Sequence, residues 1–150
     1  MPRMVSEGII LFDSGVVSLI KDEANELLKN GPEVWSIKTI EMKRYMMTDA
    51  LDDLIGSTNS AEELFIVNTL ADAIHEFVLR TNGQWIGASK WIVRALNQFD
   101  EKFARKFVQA FDAFYKTGYK DAIIDLADEV LNPYGGRLFE GYSLGKGVRI

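Results

Sequence analysis

The chain has 150 residues, nearly half of them hydrophobic and about a quarter charged, which suits one globular domain with a core of its own. It has no cysteine and one histidine, His75, which excludes disulfides, thiolate zinc sites, cysteine nucleophiles and any zinc site built from two histidines. A net charge of −5 repels nucleic acid and anionic membranes from the protein as a whole, although a local basic patch remains able to hold a phosphate.

The first element is "GIILFD", residues 8–13, a continuous apolar run that reads as a short strand buried on both faces. The run is too short for a signal sequence or a membrane span, so the chain is expected to be cytoplasmic. No second strand follows, which leaves this one as an edge without a partner.

From residue 14 to residue 131 the periodicity is helical. Val16, Leu19, Ile20, Leu27 and Leu28 mark a first helix, stopped by Gly31 and Pro32. Ser36 is positioned to cap a second, which carries Ile37, Ile40, Met47, Leu51, Leu54 and Ile55 inward and ends near Gly56. Ser60 and Glu63 have the spacing of a capping box for a third helix ending near Thr81, with an inward stripe of Leu64, Val67, Ala71, Ile74 and Val78. A fourth helix is expected from about Ala88 to Gln98. Asp100 caps a fifth, stopped by Gly118, and a sixth covers about Tyr119 to Leu131. The remainder, 132–150, is glycine-rich and irregular, with Leu138, Phe139 and Tyr142 available to pin it to the bundle. The expected fold is an all-α, up-and-down bundle of about five to six helices with one short N-terminal strand, in a single domain spanning 1–150.

Two clusters stand out against ordinary core and surface patterning. In "NGQWIGASKWIVRAL", Lys90 and Arg94 lie one turn apart next to a helix start whose backbone N–H groups suit an anion, and Trp85 and Trp91 offer flat apolar faces. Spacing alone favours core tryptophans beside a solvated basic face, since most tryptophans pack. In "YMMTDALDDL", Glu41, Tyr45, Asp49 and Asp52 follow one flank with Asp53 beside them, a pattern able to hold Mg2+, act as a general base or grip a cationic substrate, although a solvated acidic face is the simpler reading. Asn68, Asp72 and His75 share a flank of the third helix, where Asp72 is spaced to orient His75 as a base; a packed histidine is the simpler reading. Phe103, Phe107, Phe111 and Phe114 form a stripe for core packing, or for a dimer face if the bundle leaves it uncovered.

The order "IILFD", "YMMTDALDDL", "GQWIGASKWIVRAL" and "LADEVLNPYGGRLFEGY" resembles the helical half of small bacterial nucleotidyltransferases of the kanamycin-nucleotidyltransferase type, over about Gly8 to Tyr142. The catalytic half of that group, with Gly-Ser and paired carboxylates for Mg2+ and a nucleoside triphosphate, has no counterpart here: Gly56-Ser57 is followed by no Asp-x-Asp. The resemblance therefore implies a helical, substrate-side domain with no catalytic or metal-binding residues of its own. Mg2+ and nucleotide would enter only with a catalytic domain, in cis or in trans. The orphan strand would be the last strand of the absent sheet. The resemblance implies a substrate- or nucleotide-facing role for Tyr45, Asp49, Asp53, Trp85, Lys90 and Arg94, and a homodimer. Such helical domains are also similar to the HEPN superfamily, but here Arg80 follows His75, the reverse of that group's nuclease order. The alternative expectation is a non-enzymatic, homodimeric interaction module or antitoxin-like regulator.

Overall fold

The computed structural model describes residues 31–139; the expected strand at 8–13, the helix through Val16 and Leu28, and Tyr142 lie outside the described residues. Five α-helices make up the described part: α1 (Ile37–Gly56), α2 (Ser60–Thr81), α3 (Trp91–Phe99), α4 (Glu101–Thr117) and α5 (Asp121–Leu131), followed by a 3-10 turn at Asn132–Tyr134. The fold is an all-α bundle.

Helix ends follow local chemistry. Ser36 Oγ accepts from Thr39 N at 3.1 Å and starts α1. Asp100 accepts from Lys102 N and Phe103 N and starts α4, which ends at Gly118 in the left-handed conformation (φ 79°). Three boundaries differ from expectation. The cap of α2 is Asn59, whose Oδ1 accepts from Ala61 N and Glu62 N, so Ser60 is the first helical residue and Glu63 is released from a capping role. α3 begins at Trp91 rather than near Ala88, because Ser89 adopts a positive φ of 54° that no α-helix contains. α5 begins at Asp121, two residues later than Tyr119.

α1 and α2 form an antiparallel pair, joined at one end by the Lys43–Glu76 ion pair (3.0 Å). α5 runs alongside α2 in the same direction: its leading residue Lys120 meets the far end of α1, and Tyr134 beyond its other end donates to Thr81 O at 3.3 Å. α4 returns antiparallel to α5, with Lys106 paired to Glu129, and short α3 packs against α4 and α2. The directions of the long helices are thus up, down, up and down, with α3 as the connecting piece.

The core consists of Met47, Leu51 and Leu54 from α1, Val67, Leu70, Ile74 and Phe77 from α2, Leu96 from α3, and Ile123 and Leu131 from α5, all fully buried. Each such side chain contributes roughly 2 kcal/mol of apolar burial. Phe103, Phe107, Phe111 and Phe114 are buried too, and the rings of Phe107 and Phe111 pack with centroids 4.7 Å apart. The phenylalanine stripe is core, so it supplies no dimer face. Ile37, Ile55 and Leu64 point outward instead of inward, Ile37 to 80% exposure. On α2 the buried column runs Glu63, Val67, Leu70, Ile74, and Leu64 lies about 100° round the helix from it. Ile37 and Ile55 are likewise rotated off the column of Met47, Leu51 and Leu54.

A second packing centre closes the end of the bundle where α2 finishes. Phe77 meets Trp35 and Tyr134 edge-on, with centroids 6.0 and 5.5 Å away. Lys43 Nζ and the Arg80 guanidinium lie 5.5 and 5.2 Å from the centroid of Trp35.

Candidate ligand-facing surface

The loop from Asn82 to Lys90 carries the first cluster, and it is held from below. Asn82 Nδ2 donates to Val78 O at 2.7 Å and Gln84 N donates to Leu79 O at 2.8 Å, which folds the chain back over the end of α2. His75 is buried, with Nε2 3.0 Å from Gly87 O and Nδ1 3.3 Å from Ala71 O. Both partners are carbonyl oxygens, so the ring N–H has an acceptor on either side, in Gly87 or in Ala71. Asp72 is exposed and makes no hydrogen bond to His75, so His75 is a structural tether and not the base of an Asp–His pair.

Gly87 is required by close approach. A Cβ there would lie 2.3 Å from Trp91 O and 2.9 Å from Ile92 N, inside the first turn of α3. Trp91 N and Ile92 N donate to Ala88 O and Ser89 O, so the first two N–H groups of α3 are already used by the turn that builds it.

On this base stand three side chains. Trp91 is half-buried, and the Arg94 guanidinium and Lys90 Nζ lie 4.8 and 6.0 Å from its ring centroid. Lys90 and Arg94 are exposed, and among the described residues neither forms an ion pair. Most of the other cations are engaged: Lys43, Lys106, Lys116, Lys120 and Arg137 with carboxylates, Arg44 and Arg80 with backbone carbonyls. Trp85 is half-buried on the same loop.

The second cluster lies on α1. Tyr45 and Asp49 are half-buried, and Asp53 is exposed. The segment after α5 crosses this helix. Arg44 Nε donates to Gly136 O at 3.0 Å, and Leu138 N donates to Thr48 Oγ1 at 2.9 Å while that hydroxyl donates to Arg44 O. Arg137 makes a two-pronged contact with Asp128 at 2.8 and 2.9 Å. That hydrogen-bonded pair raises the Arg137 guanidinium above the ordinary arginine value; partial burial opposes the rise, and the charge of Asp52 adds to it. The tail thus crosses α1 at Arg44 and Thr48 and brings the Arg137 charge near Asp52. Further along, Asp52, Asp53 and Glu62 line an open groove with the exposed ring of Phe65.

The six residues expected to face a ligand form two separate groups. Tyr45, Asp49 and Asp53 sit on α1, which packs chiefly on α2 and α5; Trp85, Lys90 and Arg94 belong to α3 and its approach, which pack on α2 and α4. Among the described residues no three His, Asp or Glu side chains converge in a geometry that suits a metal ion, and no helix is long and apolar enough to cross a membrane.

Sequence reading alone missed Lys120. Its Nζ donates to Leu54 O and Ser57 O, both at 2.9 Å, and pairs with the buried Glu63 at 3.1 Å. The only sequence signal for it is a glutamate inside an otherwise apolar helix column.

Compared with known proteins, the chain matches no family model, no curated protein sequence and no solved structure.

Proposed function

We propose that this chain is the helical, substrate-side half of a Mg2+-dependent nucleotidyltransferase and acts with a catalytic domain supplied by another protein or another part of the same chain. The observation that carries this reading is the pair of exposed cations Lys90 and Arg94, without ion-pair partners among the described residues, held along Trp91 on a protein of net charge −5. An indole beneath a guanidinium restricts it without masking its N–H edge, which is an arrangement suited to phosphate oxygens. In this reading Lys90 and Arg94 face the nucleotide, Asp49 and Asp53 on α1 face a cationic or hydroxyl-bearing acceptor, Tyr45 lies beside them, and Trp85 flanks the nucleotide side. The ordered resemblance of the acidic helix, the tryptophan segment and the glycine-rich tail supports it, as does the mutual packing of two of those segments through Arg44, Thr48, Gly136 and Leu138.

The test is reconstitution. The chain is combined with catalytic nucleotidyltransferase proteins encoded beside it, and transfer from Mg-ATP is followed. Stimulated transfer is expected, with the double variant Lys90→Met/Arg94→Met raising the KM for nucleotide by at least roughly tenfold, the loss of two charge-assisted phosphate contacts. No complex and no transfer with any such protein would remove the reading, and a self-contained interaction module would take its place.

A further inference from the structure

Beside Lys90 and Arg94, between α3 and α4, runs a groove of about 300 Å³ lined by Val93, Asn97, Glu101, Ala104, Arg105 and Val108, with Gln109 at its end. On an α-helix successive residues advance about 100°, so Val93 and Asn97 form one column and Lys90 and Arg94 the next, roughly 60° round the same exposed arc. The groove therefore borders the column that carries the two cations, which themselves lie over Trp91.

We propose that this groove is the base and ribose subsite for a purine nucleoside polyphosphate whose phosphates lie along Lys90 and Arg94. The inference rests on the reading of α3 as nucleotide-facing and goes beyond it by assigning the site. Val93 and Val108 expose 37% and 42% of their surfaces on opposite banks, a spacing of apolar faces suited to a flat ring, with buried Ala104 as the floor. The side-chain amides of Asn97 and Gln109 each present a donor and an acceptor in one plane, which is the pattern that pairs with the amino and ring-nitrogen edge of adenine. Glu101 accepts hydrogen bonds, which suits ribose hydroxyls and repels phosphate, so it orients the polyphosphate away from itself and toward Lys90 and Arg94. Arg105 adds a third cation that forms no ion pair among the described residues. The groove is at the small end of the roughly 300–1,000 Å³ range of ligand pockets, enough for a base and sugar but not for a polyphosphate, which is consistent with the charges lying outside it.

The experiment uses the whole chain, labelled with nitrogen-15, and follows its amide resonances while ATP, CTP, adenosine and inorganic tripolyphosphate are added separately to millimolar concentration. ATP is expected to move the amides of residues 90–97 and 104–109, adenosine the groove residues alone, and tripolyphosphate residues 90–94 alone. CTP is expected to bind several-fold more weakly than ATP. The double variant Asn97→Ala/Gln109→Ala, on exposed positions that leave the core intact, should weaken ATP about tenfold and leave tripolyphosphate unchanged. Identical shifts from ATP and tripolyphosphate, or ATP affinity unaltered in the double variant, would overturn the subsite; so would shifts confined to other helices, or none with any of the four compounds. Partner-dependent transfer with no binding here would sink the groove alone, and binding here without transfer in reconstitution would sink the accessory-domain reading alone.

Discussion

Lys120, at the start of α5, reaches Glu63 on α2 at 3.1 Å while donating to the last carbonyls of α1. One ammonium thus caps the C-terminal end of one helix, where the dipole favours a cation, and neutralises the buried carboxylate of a second. Replacing Lys120 with methionine keeps the aliphatic stem but leaves Glu63 buried without a partner. A loss of about 2–3 kcal/mol is expected in urea unfolding. Adding Glu63→Gln should recover part of that loss; full additivity of the two changes would show that the contact carries no coupling energy.

The glycines separate close approach from open space. Gly87→Ala forces a methyl group against Trp91 O, and α3 must move; about 2–3 kcal/mol of destabilisation is expected. At Gly56, in the last turn of α1, a methyl group would meet nothing within 4 Å, and Gly56→Ala should stabilise by roughly 0.5–1 kcal/mol. Thermal midpoints of the two variants should therefore move in opposite directions from the parent chain.

The tail is held on α1 and α5 by Arg44, Thr48 and Asp128. Asp128→Asn removes the charge from the two-pronged contact with Arg137, and trypsin cleavage after Arg137 should accelerate several-fold. Because the Arg137 value is raised in the folded chain, its contribution is complete below the ordinary arginine value and is lost only as pH rises through the raised one. Cleavage at Arg137, normalised to an unstructured peptide, should then be equally slow at about pH 7.5 and pH 9. A marked increase at the higher pH would show that another group governs the attachment.

Arg94 is exposed and rests on Trp91. Arg94→Met should change unfolding stability by no more than about 0.5 kcal/mol, as an exposed surface substitution does. It should nevertheless alter the fluorescence intensity of Trp91, most clearly in a background where Trp35 and Trp85 are replaced by phenylalanine. Unchanged emission would mean that the stacked arrangement is not maintained in solution.

Much of the bundle could be read directly from local chemistry. Ser36 and Asp100 start their helices and Gly118 stops one as their side chains, or lack of one, dictate, and the columns Met47–Leu51–Leu54 and Phe103–Phe107–Phe111–Phe114 are buried as their spacing requires. Tertiary competition decided the rest. Ser60 and Glu63 have the spacing of a capping box, but Asn59 offers a better acceptor one residue earlier, and Glu63 is claimed by Lys120 from the other end of the bundle. The start of α3 follows a positive φ at Ser89, in a loop where Gly87 lies close against Trp91 and is tethered by His75. Neither can be seen in a helical wheel. At the candidate surface, the adjacency of Lys90 and Arg94 was legible from their spacing. The groove beside them was not, because it needs α4 in place to supply Arg105, Val108 and Gln109.

The contacts of the tail join distant parts of the chain: Arg44 and Gly136 are 92 residues apart, Thr48 and Leu138 are 90. With the bundle shut, the ends of the loop between them already lie together, and the strap is held by a few hydrogen bonds and the Arg137–Asp128 pair. Release of the strap while the bundle stays shut is therefore expected to need much less free energy than unfolding the bundle. Hydrogen exchange should report two levels of protection, with the Leu138 amide opening at a small fraction of the free energy that guards Leu51 and Leu70. The stretch of α1 at Arg44 and Thr48 beneath the strap would then be uncovered on the strap's own clock, without any unfolding of the helices that carry it.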